Sequence, residues 1–259
     1  MTPLIEFRGA TVKRGSRVAL DALDLSLYEG EHTAILGPNG CGKSTLIKAL
    51  TRECYPLAGS SGPPVRILGA DTWDVFELRS LLGVVSNDLM ATCTRDFKGL
   101  EIVLSGFFSS IGIWPHHKVT EAMRQKAQEV LELLEAPHLG DRWLDEMSSG
   151  EARRILVGRA LVHDPKALVF DEPSTSLDLR AAAELRDIMR KLAGSGVTIV
   201  LATHHLPEII PEVSRIVLLR GGRVFCDGPK EKVLTADTLS ELYQMNVELL
   251  ERDGYYHLL

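Results

Sequence analysis

The sequence predicts an α/β fold with a mostly parallel central sheet, an N-terminal antiparallel β-subdomain and an inserted helical subdomain. Three observations predict it. A strand-sized run, His32-Thr33-Ala34-Ile35-Leu36, passes through a glycine-rich turn into a helical pattern. From Ala167 onward strand and helix patterns alternate, as βαβ units around a parallel sheet require. Between the two, from about Asp88 to Asp164, helical periods dominate.

Taken in order, Leu4–Val12 and Val18–Leu27 read as strands, with turns at Gly15 and Glu29-Gly30. A helix is expected from about Lys43 to Thr51, then a Gly/Ser/Pro-rich surface loop at Pro56–Pro64. Short strands are expected at Val65–Leu68 and Gly83–Ser86. In Val119–Glu135, residues Val119, Ala122, Met123, Ala127, Val130, Leu131 and Leu134 form one helical stripe, read as core packing. The last third gives a strand at Ala167–Phe170, a helix at Leu179–Ala193, and strands at Val197–Thr203, Ile216–Leu219 and Arg223–Cys226. The expected division is a core with its β-subdomain at about 1–87 and 165–228, a helical subdomain at about 88–164, and a tail at about 229–259.

Composition narrows the function classes. The 259 residues are 45% hydrophobic and 25% charged, ordinary for a globular chain. A formal net charge of −6 argues against a dedicated nucleic-acid binder. No apolar run approaches the ~20 residues that cross a bilayer, and MTPLIEFRGA carries an early acid and no apolar signal core. The four cysteines, Cys41, Cys54, Cys93 and Cys226, form no CxxC or zinc spacing and read as reduced cytosolic thiols.

The strongest string is Gly37-Pro38-Asn39-Gly40-Cys41-Gly42-Lys43-Ser44-Thr45, a complete G-x-x-x-x-G-K-[ST] between a strand and a helix. It marks a P-loop NTPase. Its glycines let successive N–H groups turn inward on phosphate oxygens, and the helix adds its positive end. Lys43 is placed for the β- and γ-phosphates and the Ser44 hydroxyl for Mg²⁺. A second string, Ala167-Leu168-Val169-Phe170-Asp171-Glu172, runs an apolar strand into two acids. Asp171 suits Mg²⁺, and Glu172 suits a water attacking the γ-phosphate. A third, Met147-Ser148-Ser149-Gly150-Glu151-Ala152-Arg153-Arg154, is a loop opening a helix, with Ser148 or Ser149 as the cap and an anion site at the N-terminus.

Together these strings resemble the ATP-binding-cassette (ABC) ATPases, over nearly the whole chain from Leu4 to about Gly228. By that resemblance Met147–Glu151 stands in place of the signature LSGGQ, and Ser148, Ser149, Gly150 and Glu151 close on ATP held by the P-loop of a second copy. Ser176-Leu177-Asp178 matches the D-loop, which places Asp178 across the dimer, and Thr203-His204 matches the switch histidine. His205 and the pair His116-His117 match nothing. The resemblance implies ATP and Mg²⁺, an ATP-dependent homodimer, and catalysis by Glu172, His204 and Lys43. Its leading form is a cytoplasmic ATPase subunit, peripheral at the inner face of the membrane, driving a separate permease. The stretch Val103–Trp114 is similar in texture to importers of molybdate or iron complexes. Phe107, Phe108 and Trp114 are open to two readings, a docking surface or core packing. The alternative is a soluble ABC ATPase without a permease, acting in translation, cofactor assembly or regulation.

Three features depart from the family pattern. Asn87 stands where a glutamine normally senses Mg²⁺, one methylene short. Arg14 stands where the family usually carries an adenine-stacking aromatic, in Val12-Lys13-Arg14-Gly15, either as a stacking guanidinium or as a solvated charge. Ser149 and Glu151 replace a glycine and a glutamine, and Ser149 can still offer its N–H if its φ is not positive. Cys41 inside the loop reads either as a small filler or as a redox brake on ATP binding.

Overall fold

The computed structural model describes residues 3–57, 63–92 and 96–259. Residues 58–62 of the expected Pro56–Pro64 loop, and Cys93, lie outside them. Along the chain run β1 (Ile5–Arg14), β2 (Arg17–Leu27), β3 (Thr33–Leu36), α1 (Lys43–Leu50), β4 (Val65–Ile67), α2 (Val75–Leu81), β5 (Leu82–Ser86), α3 (Asn87–Thr92) and α4 (Gly99–Ser105). There follow α5 (Glu121–Leu133), α6 (Ser149–Leu161), β6 (Ala167–Asp171), α7 (Leu179–Gly194), β7 (Thr198–Thr203), β8 (Arg215–Arg220) and β9 (Arg223–Pro229). The tail carries α8 (Lys230–Val233), α9 (Ala236–Tyr243), β10 (Leu249–Arg252) and β11 (Tyr255–Leu258). The chain divides into two compact units, Met1–Val75 with Thr198–Leu259, and Phe76–Val197.

In the first unit, β2, β1 and β4 make an antiparallel sheet, with Ile5 opposite both Leu27 and Ile67. Alternate residues of β1 turn inward, so Ile5 and Phe7 are buried and Arg8 is not. A second set of strands runs parallel, with β3 between β7 and β8, and β9 closes it antiparallel. Every residue of β3 and β7 is buried. Strands covered on both faces read as continuous apolar runs, which is how both were legible. The tail, undiagnostic as sequence, folds as a helix capped by Thr235, whose side chain accepts from the Thr238 N–H, and a hairpin.

In the second unit, β5 and β6 pair in parallel, Leu82 to Ala167 through Ser86 to Asp171. Helices α4, α5 and α6 bury Ile102 and Val103, Val130 and Leu131, and Ile155 and Leu156. Each such side chain contributes about 1.5–3 kcal/mol. The expected stripe on α5 needs correcting at its start. Ala127, Val130, Leu131 and Leu134 are buried, but Ala122 is exposed and Val119 and Met123 are half-buried. The helix begins at the Thr120 cap, so its first turn extends beyond the packed face. The short helix α2 carries no long apolar period and was not expected, whereas α3 falls at the start of the expected helical stretch. The α/β class, the parallel strands and the antiparallel β-subdomain are those the sequence predicts.

Candidate functional site

In the first unit β3 delivers the glycine-rich loop. Gly37 leaves the strand so close to β8 that a Cβ there would sit 2.4 Å from the Leu219 carbonyl. No other residue fits. Gly42 caps α1 at φ 117°, a conformation L side chains rarely adopt, and offers no side-chain cap. Backbone bonds hold the curl: Cys41 N–H donates to Pro38 O at 3.2 Å, and Gly222 N–H to Cys41 O at 2.9 Å. Cys41 is buried and packs against Gly37.

Lys43 is only 4% exposed, and its ammonium donates to Gly37 O at 2.7 Å and Pro38 O at 3.4 Å. Its charge is thus centred on the loop rather than in solvent. Ser44 is half-buried and Thr45 buried on the first turn of α1. Arg14 is exposed at the end of β1, directly across from Arg17 in the hairpin. It is Arg17 that reaches the loop, donating to Gly40 O at 3.4 Å. Because Leu36 of β3 is beside Thr203 of β7, His204 leaves the sheet next to Gly37. The Thr203 hydroxyl accepts from His205 N–H at 2.9 Å, and the two imidazoles lie 3.8 Å apart, centroid to centroid.

In the second unit, β6 ends at Asp171 and the chain passes into Glu172 at φ 48°. The paired strand β5 ends one residue before Asn87, whose amide nitrogen donates to the Glu172 carbonyl at 3.2 Å. Its amide oxygen accepts from the buried guanidinium of Arg153 at 2.5 Å. Sequence reasoning assigned nothing to Arg153. A signal was available, since Arg153 occupies the same α6 stripe as the buried Leu156, Val157 and Ala160.

The segment Met147–Glu151 is built around a reciprocal cap. Ser148, not Ser149, is the N-cap: its hydroxyl accepts from Glu151 N–H at 3.2 Å, and its own N–H donates to the Glu151 carboxylate at 2.8 Å. Ser149 is the first helical residue and has no positive φ, so a side chain is tolerated there. The same bond from Ser148, with Arg142 at 2.7 Å, holds the Glu151 carboxyl below its ordinary range. The cap satisfies the N–H of Glu151 and leaves those of Ser149 and Gly150 directed off the helix end.

Ser176 and Asp178 adjoin this cap. Ser149 Oγ donates to Ser176 O at 3.2 Å, and Asp178 caps α7 by accepting from Ala181 N–H at 2.8 Å. Gly150 lies against that turn, where a Cβ would come within 2.7 Å of Ala181 Cβ. A cavity of about 400 Å³ opens here, lined by Ser148, Gly150, Glu151 and Asp178 together with Arg154, Arg180 and Glu184. Beside it Leu179 is 93% exposed.

The aromatic stretch after α4 is partly packed. Phe108 stacks on His117 at 4.3 Å and Phe107 meets His163 edge-on, while Trp114 remains 47% exposed. His117 therefore has a packing role that sequence reading did not give it.

Comparison with known proteins agrees with these strings. The family model described as ABC transporter matches residues 20–175. The hemin import ATP-binding protein HmuV of Bradyrhizobium diazoefficiens is 31% identical, the match covering 100% of this chain and 95% of that protein. The phosphonates import ATP-binding protein PhnC of Anaeromyxobacter dehalogenans is 32% identical, over 93% of this chain and 48% of that one. A dimeric ATP-binding cassette in a post-hydrolysis state, bound to ADP and Pi, superposes with a TM-score of 0.71 at 25% identity, over 87% of this chain and 98% of the other. A loop shaped for phosphates, an acid pair at a strand end and a capped signature helix thus coincide with family-wide similarity, and the chain belongs to the ABC transporter family as one of its ATP-hydrolysing cassettes.

Proposed function

We propose that the chain is the motor subunit of an ABC importer, closing as a homodimer around two Mg·ATP to drive a separate membrane permease. The observation that carries the dimer is the signature face: two N–H groups at a helix end, and beside them a leucine 93% exposed. A surface leucine that open to water, next to a ready anion site, suits a second copy bringing its own nucleotide.

In this reading the substrate is Mg·ATP. The N–H groups of Gly37–Thr45, with Lys43, hold its phosphates, Ser44 and Asp171 hold the metal, and Glu172 and His204 set water against the γ-phosphate. Ser148, Ser149, Gly150 and Glu151 meet the γ-phosphate of the other copy, and Asp178 crosses with them. Hydrolysis divides the shared anion and the dimer reopens. Among the described residues no helix is long and apolar enough to cross a membrane, so the reading places the chain at the inner membrane face through its permease. The importer class is supported by relatives named for import. An iron complex is favoured as solute because the hemin-import relative aligns over nearly its full length, whereas the phosphonate one aligns over half.

The test is Glu172→Gln with saturating ATP in a sizing experiment, expected to elute as a dimer that disperses when ATP is removed. A protein that stays monomeric would count against the shared site. Lys43→Ala is expected to lower turnover by about a hundredfold or more, and unchanged turnover would remove the P-loop from the mechanism. Purified from native membranes, the trapped Glu172→Gln dimer is expected to bring down a polytopic partner. Recovery with soluble factors alone would move the chain to the class of ABC ATPases without a permease.

A further inference from the structure

The buried arginine of the signature helix reaches the backbone of Glu172 in two hydrogen bonds. Arg153 is 2% exposed, and its Nη2 donates to Asn87 Oδ1 at 2.5 Å. Asn87 Nδ2 donates in turn to the Glu172 carbonyl at 3.2 Å. The two contacts fix the amide's sense, since only the oxygen can face a guanidinium and only the nitrogen a carbonyl. The peptide so held follows a residue at φ 48°, a left-handed backbone that a glutamate keeps only where its surroundings impose it. Burying a guanidinium is costly and adds little to stability over an apolar side chain of similar size. The neighbours of Arg153 on its stripe, Leu156 and Val157, are apolar and buried. A leucine at that position would pack as they do.

Resting on the motor reading above, we propose that Arg153 and Asn87 are positioning residues for Glu172. Arg153 lies five residues after Ser148, so the helix end that meets the partner's nucleotide and the glutamate that acts on the chain's own nucleotide share one hydrogen-bonded connection. Asn87 then serves the backbone of Glu172 rather than the metal: its oxygen faces a cation, and drawing Mg²⁺ to it would set two positive charges side by side. The shorter amide also acquires a reason. A glutamine, one methylene longer, would not keep both contacts without displacing the helix or the strand end.

The discriminating variant is Asn87→Asp. It pairs with Arg153 more strongly but sets a carboxylate oxygen against the Glu172 carbonyl where an N–H had been. If the contact only stabilises the fold, Asn87→Asp melts below the wild-type temperature and turns over normally. If it positions Glu172, kcat for ATP falls about tenfold with KM within about twofold, while the melting temperature holds. Arg153→Met and Asn87→Ala are expected to lower kcat similarly, and the double variant to be no slower than either single, because each cuts the same connection. Wild-type kcat in Asn87→Asp, or singles whose losses multiply in the double, would overturn the proposal. Should Arg153→Met fail to fold, the Asn87 variants decide it alone. The Glu172→Gln dimer test stays separate: a dimer that forms beside a fully active Asn87→Asp would leave the motor reading standing and remove only this connection.

Discussion

The P-loop and the signature segment both present a helix N-terminus, yet they are built in opposite ways. At α1 the cap is Gly42, with no side-chain acceptor, and the loop is held by steric necessity and a buried lysine. At α6 the cap is Ser148, locked reciprocally with Glu151, which Arg142 grips in turn. The first terminus has no side chain at its cap to accept an N–H. The second satisfies part of its end internally and keeps two N–H groups outward. This difference matches the proposed division of labour. A site that binds polyphosphate within one chain needs the whole curl. A site that only completes another chain's needs a stable, self-supporting helix end.

The largest effects should come from glycines that tolerate no Cβ, and they should separate the two termini. In Gly42→Ala the new Cβ would lie 2.7 Å from the Ala19 carbonyl at a φ of 117°. Nucleotide binding by the isolated chain is expected to fall by about a hundredfold, together with several degrees of melting temperature. In Gly150→Ala the clash is with Ala181 Cβ, also at 2.7 Å. There nucleotide binding by the monomer should stay within about twofold, while the ATP-dependent dimer of a Glu172→Gln background is lost. Equal loss of nucleotide binding in both would erase the contrast between an internal and a shared site.

Ser148→Ala should have a smaller effect. It removes the side-chain acceptor for Glu151 N–H and costs about 1 kcal/mol of stability, as lost N-caps do. Thermal melting measures that part. If the segment also meets nucleotide in trans, turnover should fall more than the stability loss explains, and the deficit should be greatest at low protein concentration, where the dimer is scarce. A deficit independent of concentration would confine Ser148 to the fold.

These regions also differ in how legible they were. The P-loop and the signature cap rest on local chemistry: glycines where a Cβ cannot go, and a serine three residues before an acid. Such features are written contiguously. What was missed depends on register and long separation. Arg14 and Arg17 flank the same turn, and only the hairpin pairing decides that Arg17 meets Gly40. Arg153 and Asn87 are 66 positions apart, so no local pattern joins them, although a charge on an apolar stripe was there to question. The stripe on α5 was overread at its first turn because periodicity shows which residues share a face, not where the packed neighbour ends.

The smallest expected effect concerns Glu151, which stands where the family carries glutamine. Glu151→Gln keeps an acceptor for the Ser148 N–H and so keeps the capping box, but it gives up the charge paired with Arg142. The carboxyl of Glu151 titrates below its ordinary range, chiefly through the bond from Ser148 N–H and also through Arg142. A carboxylate with a depressed folded-state pKa stabilises the fold at pH values above its unfolded pKa, about 4.3, and that contribution disappears as pH falls through the lower folded value. The side chain is about a third exposed, so solvent and salt screen the pair and the gain is a few tenths of a kcal/mol. Wild type should therefore melt about 1 °C above Glu151→Gln at pH 7 in low salt. The gap should narrow in 0.5 M salt, where the Debye length is only a few ångströms, and close below about pH 4. A gap that persisted unchanged at pH 3 would mean that Glu151 acts through packing or hydrogen-bond geometry, which glutamine fails to reproduce, and the ion pair with Arg142 would lose its part in holding the signature helix end.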